Sequence, residues 1–229
     1  MSSFRVVTPF VVAMAVAVAA CGSNAKADPA ANLALAQRAS IVDADVPGYS
    51  STPHTASADL PAPAREGFAR CLGSSVSMFD DTVGAQLVNS ATYASGQTRL
   101  HVTVKIDPRK SDTDYIWDVM SRSAAAACLL GTFEAVIKNA APDPKSVTFA
   151  GDQGSRFDIG VGGTSVGYGV NFTAGSSGQA TSFYADVIFA QRSRAEIVLV
   201  SSDAGSAPDR ALEIALVQKV YDRIGNGAS

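Results

Sequence analysis

Nucleophiles, carboxylates and glycine-rich turns are all present in this chain, and their spacing decides what each can do. Ala174-Gly175-Ser176-Ser177-Gly178-Gln179 places serines between glycines, but the second glycine sits in the wrong place for a nucleophile elbow. Gly160-Val161-Gly162-Gly163-Thr164-Ser165 lacks the third glycine of a dinucleotide-binding turn. The run from Gly162 to Gly167 is followed by Tyr168, where a phosphate loop needs lysine. Asp112, Asp114 and Asp118 are spaced like calcium ligands, yet Ile116 and Trp117 occupy the positions that require an oxygen ligand and a glycine. These acids read better as charges at the start of a helix. His54 and His101 are the only histidines, and no paired-ligand spacing makes a metal site of them. Glutamate is confined to Glu66, Glu134, Glu196 and Glu213. A hydrolase acting on envelope polymers would need one of these, or an aspartate, clustered with a second carboxylate in a cleft. That remains the alternative to a non-catalytic protein, which is the expectation. No cofactor is implied.

One thiol carries a stronger signal. After Arg5, residues Val6 to Ala20 are apolar apart from Thr8 and Pro9, in the order of an export signal: a short positive region, then a greasy core. The run is about fifteen residues, short of the ~20 that span hydrocarbon. It ends at Val18-Ala19-Ala20-Cys21, which resembles the bacterial lipobox, in which two small residues precede a cysteine that is acylated before cleavage. The alternative is an ordinary cleavage site with an incidental cysteine. Under the lipobox reading residues 1–20 are removed and Cys21 becomes a lipid anchor. The body is then held at the cell membrane, on its extracytoplasmic face, with the membrane as its first partner. Residues 21–40, rich in Ala and carrying Ser, Asn and one Asp, read as a tether, although Asn32 to Ser40 has the makings of a short helix.

Export places the remaining cysteines in an oxidising compartment. Cys71 and Cys128 have similar surroundings, Ala69-Arg70-Cys71-Leu72-Gly73 and Ala127-Cys128-Leu129-Leu130-Gly131, each near a glycine that can end or bend a helix. A disulfide stapling two helices is favoured over two buried free thiols, and both over a metal site.

These groups must be positioned by a folded body. The chain has 229 residues, with 47% hydrophobic against 17% charged, which is a globular composition. The net charge of −3 offers no basic footprint for nucleic acid. Leu100, Val102, Val104 and Ile106 alternate with Arg99, His101, Thr103 and Lys105, a strand with one buried face, leaving His101 toward solvent or a helix edge. A helix is expected from about Ala64 to Leu72. Ser111 caps another, whose stripe of Ile116, Val119, Met120, Ala127, Leu130, Phe133 and Ile137 predicts one long crossover helix, with a close approach or break at Gly131. Trp117 lies off the centre of that stripe.

Alternating segments follow at Phe157–Val161, Val166–Phe172, Ser182–Ala190 and Ile197–Val200, joined by short turns that imply antiparallel neighbours. A final helix carries Leu212, Leu216, Val220 and Ile224 between Asp209 and Gly225. The expected fold class is α+β: an antiparallel sheet of about five strands covered by long helices, in one domain over 41–229. The aromatics placed to line a groove between helix and sheet are Trp117, Tyr168, Phe172 and Tyr184, with core packing as their other fate.

The lipobox at Cys21, Asp45-Val46-Pro47-Gly48-Tyr49, Cys71-Leu72-Gly73, a second cysteine in the long helix, and glycines and aromatics in the late strands occur together. In this the chain resembles small actinobacterial cell-envelope lipoproteins and sensor-type extracytoplasmic domains with a PsbP-like α/β/α sandwich. The resemblance covers most of residues 41–225. It implies an envelope location, the disulfide and that sandwich, and a binding or sensory role toward envelope lipids or protein partners. It carries over no catalytic residue.

Overall fold

The computed structural model describes residues 28–54, 60–76, 84–140, 145, 147–152, 154–176, 179–225 and 227–228. The export signal and Cys21 lie outside the described residues. In chain order the elements are α1 (Pro29–Ala39), a 3-10 turn (Asp43–Asp45), β1 (Ser50–Thr52), α2 (Ala62–Cys71), β2 (Gln86–Asn89), β3 (Thr92–Ser95), β4 (Thr98–Ile106), α3 (Lys110–Met120), α4 (Ala125–Ala140), β5 (Val147–Gly151), β6 (Ser155–Phe157), β7 (Ser165–Ser176), β8 (Gln179–Arg192), β9 (Ala195–Ala204) and α5 (Arg210–Ile224).

The protein is α+β, built on one antiparallel sheet of nine strands rather than about five. Its order is β1-β3-β4-β9-β8-β7-β5, with β2 also pairing β4 and β6 also pairing β7. The strands with strong alternation form the centre: β4 pairs β9 over eight positions from Arg99↔Ser202 to Ile106↔Ala195, and β8 lies between β9 and β7. The additional strands are short flanking pieces. β2 and β3 follow one edge of β4, interrupted at Ser90, whose hydroxyl accepts from the Val102 amide.

Period-two alternation splits the apolar residues between the two faces. Leu100, Val102, Val104 and Ile106 join Ile188, Ile197 and Leu199 under α1 and α5. Val166, Tyr168, Val170, Phe172, Ala185 and Val187 face α2, α3 and α4. Gly167 and Gly169 occupy the α5 side of β7, where a Cβ on Gly167 would lie 2.1 Å from the Phe157 ring. Those glycines make room for Phe157 and for Arg210, whose guanidinium sits 4.1 Å above that ring.

Four sequence expectations need correction. The long crossover helix is two helices, α3 and α4, whose axes differ by 87°. The break falls at Ser121–Ala124 and not at Gly131, which sits exposed in α4, where an added Cβ would meet nothing within 4 Å. Arg122 fixes the corner by donating to the Leu72 carbonyl at 2.6 Å and to Asp118 at 3.0 Å. The Tyr168 hydroxyl holds the end of α3 by donating to the Met120 carbonyl. Second, α3 starts at Lys110 behind Arg109 and is not capped by Ser111. Third, of the expected strand at Phe157–Val161 only Phe157 is in a strand.

Fourth, residues 28–40 are not tether. Asp28 caps α1 by accepting from the Ala30 amide, and Leu35, Ala36 and Ala39 are buried against α5 and β4. The packed body therefore includes α1, ahead of residue 41. No single helix among the described residues is long and apolar enough to cross a membrane.

The Cys71–Cys128 disulfide is present, with Cα atoms 5.7 Å apart. It joins the end of α2 to the first turns of α4. Asp209 caps α5 by accepting from the Ala211 and Leu212 amides, and Gly225 ends that helix at φ +53°.

Candidate functional site

The sheet presents two depressions at one end of β7 and β8, one on each face. Strand register decides which residues go to which. Phe172 pairs with Phe183, so both rings project toward α4, while the neighbouring pair Asn171 and Tyr184 projects to the α5 side.

On the α4 side the rings of Phe133, Phe149 and Phe183 stack around Phe172 at centroid distances of 5.9, 4.9 and 5.4 Å. Between this ladder and Ile137 and Val147 runs an open groove of about 380 Å³, within the range of small-molecule sites. Ser202 is the only polar side chain among its described lining residues. None of these described lining residues donates or removes a proton at neutral pH, and the surface they present suits an apolar molecule.

On the α5 side lies a pocket of about 360 Å³ bordered by Asp152, Ser155, Asn171, Tyr184, Asp186 and Arg210. Arg210 Nε donates to Asp186 Oδ2 at 2.8 Å, and Nη2 lies 3.5 Å from Oδ1. Asp186 is 3% exposed, and Glu213 on α5 is 1% exposed. Burial, together with the charge of Asp186, pushes the Glu213 carboxyl up to about 8, so it keeps its proton at neutral pH. Asp186 and Glu213 are the closest thing here to the acid pair a hydrolase would need. Glu213 is not part of the pocket lining, however, and Asp186 is engaged by Arg210.

A third polar cluster lies under α3. Lys105 Nζ is 2.9 Å from Asp107 Oδ1 and 3.6 Å from Glu196 Oε2, and Thr113 donates to Asp107 Oδ2 at 3.2 Å. Burial raises the Glu196 carboxyl well above the usual range despite the Lys105 charge beside it. Asp107 is fully buried, and the cluster ties α3 to the β4–β9 ends, with Glu196 at the edge of the small cleft beside Trp117.

The four aromatics singled out from the sequence thus separate. Phe172 forms a wall of the apolar groove. Tyr184 borders the polar pocket on the opposite face. Tyr168 is in the core, spent on the Met120 carbonyl. Trp117 lies beside a cleft of only about 20 Å³ with Thr113 and Phe189, room for little beyond one water. His101 lies 6.2 Å from His54, ring to ring.

Sequence reasoning missed Phe183 as a groove residue, Phe149 as its neighbour in the ring stack, and Asp186 and Arg210 as a pair. Helical spacing had already placed Phe133 and Ile137 on one stripe, but nothing local said which strand end they would meet. No family model matches this chain. No curated protein matches it either.

Proposed function

We propose that this chain is a lipid-anchored, extracytoplasmic binding module of a bacterial cell envelope, with a PsbP-like sandwich, that holds an apolar ligand in the groove between α4 and the sheet. The observation that carries the reading is the phenylalanine ladder around Phe172, which leaves about 380 Å³ of open space instead of closing it. Burying apolar ligand surface there gains ~25 cal/mol per Å², with Ser202 the one polar side chain of the described lining to desolvate. The Val18-Ala19-Ala20-Cys21 sequence supports the anchor, and the Cys71–Cys128 disulfide fits an oxidising compartment. In this reading the protein works without catalysis: Glu213 and Glu196, the two carboxyls raised by burial, line neither of the two depressions.

Native mass spectrometry of the full chain purified from its own envelope tests this reading. A co-purifying apolar molecule that is lost in Ile137→Trp, which fills the groove, supports it. Protein that carries no such molecule, or a molecule that persists in Ile137→Trp, overturns it.

A further inference from the structure

The pocket on the α5 face is a second site with different chemistry. Its floor is held open by glycine: a Cβ on Gly169 would lie 2.6 Å from Arg210 Nη2 and 2.9 Å from Asp186 Oδ1. A side chain there would have to displace the ends of the ion pair at the pocket's inner end. Asp186 is nearly fully buried yet belongs to the lining. Arg210 takes up Oδ2 at 2.8 Å and leaves Oδ1 with a contact of 3.5 Å, so that oxygen retains capacity to accept from a ligand.

The charges decide against an anion. Arg210 is neutralised by Asp186, and Asp152 adds a further carboxylate at the mouth. The remaining groups are a mixed set of donors and acceptors: the Asn171 amide, the Ser155 hydroxyl and the Tyr184 phenol, whose ring supplies a flat apolar surface. The pocket is also not isolated. A shallower depression of about 330 Å³ shares Asp152, Asn171 and Tyr184 with it and continues past Thr173 and Ser182. The result is a strip of mixed polar and apolar lining along the strands, longer than one small molecule, with Tyr184 bordering both of its parts.

We propose that this strip binds a neutral saccharide, with one sugar ring against Tyr184 and its hydroxyls bonded to Asn171, Asp152 and Oδ1 of Asp186. The hydroxyls both donate and accept, as this lining requires, and the C–H face of the ring matches the tyrosine. The apolar groove opens on the other face of the sheet; Phe172 and Phe183 border both it and the far end of this strip, while Asp152, Asn171 and Tyr184 belong to the strip alone.

Saturation-transfer NMR on the folded domain tests it, using neutral trisaccharides of glucose, galactose, mannose and N-acetylglucosamine, with spermidine and glucose 6-phosphate as charged comparisons. At least one neutral trisaccharide should bind, weakened about tenfold or more by Tyr184→Ala and by Asp152→Asn. Ile137→Ala, in the apolar groove, should leave it unchanged. Circular dichroism of each variant confirms that the fold is retained, and Tyr184→Phe, which keeps the ring, should retain most of the binding. The proposal is overturned if no neutral trisaccharide binds, if binding survives both pocket substitutions, or if spermidine or glucose 6-phosphate binds in preference.

Discussion

Replacing Glu213 by glutamine should change how stability depends on pH, and the size of the change follows from where the carboxyl lies. In the folded protein it keeps its proton up to about pH 8, against an ordinary value of 4.5. Between those two values the folded state binds one proton more than the unfolded chain. Stability from this group is therefore complete below pH 4.5, declines as pH rises, and levels off above 8. The slope approaches about 1.4 kcal/mol per pH unit, and the whole interval is worth on the order of 5 kcal/mol. Glu213→Gln keeps the size and polarity of the side chain but cannot ionise, so it lacks this decline.

Urea unfolding of both proteins at intervals from about pH 5 to 8, disulfide intact, measures the difference directly. Wild type should lose about 3 kcal/mol relative to the variant between about pH 5 and 7.5. Glu196, also raised by burial, titrates in both proteins and cancels. Parallel stability curves would show that Glu213 is ionised in the folded state and that its buried setting has been misread.

Other perturbations have equally definite outcomes. Cys71→Ser with Cys128→Ser removes a cross-link across 57 residues, and urea unfolding should register a loss of about 4 kcal/mol; a loss below ~1 kcal/mol would mean the α2–α4 contact holds without it. Gly167→Ala drives a methyl into the Phe157 ring and should cost ~1–3 kcal/mol. Gly131→Ala meets nothing on an exposed helical face and should gain up to ~1 kcal/mol; thermal melts that rank these two the other way refute the packing described for β7. Intact-mass measurement of the protein from its own envelope should find Cys21 at the amino terminus and acylated, whereas a bare Cys21 or an uncut precursor would defeat the acylation reading.

What could be read from the sequence follows the strength of the local pattern. β4 and α5 were legible because Leu100 to Ile106 alternate strictly and Asp209 and Gly225 bracket a clean apolar stripe. The disulfide was legible from two cysteines in matching contexts. The corner between α3 and α4 was not, because both helices present apolar residues to the same sheet face and the stripe runs in phase across the break. What bends the chain is Arg122 reaching Leu72, fifty residues away.

The flanking strands were missed for a related reason. Gln86–Asn89 and Thr92–Ser95 are short and mixed in polarity, and become strands because β4 offers them an edge. At the candidate sites, Phe172 and Tyr184 could be recognised as aromatics of interest, but they stand on different strands. Only the register of β7 on β8 sends them to opposite faces.

The docking of α1 bears on geometry at the membrane. With α1 starting at Pro29 and packed on the body, a lipid on Cys21 would leave residues 22–28 as a leash, at most ~25 Å when taut. That is shorter than the hydrocarbon core of a bilayer is thick. A module hung this closely cannot sweep the space above the lipid; it would rest against the headgroups and meet whatever lies within a few nanometres of them.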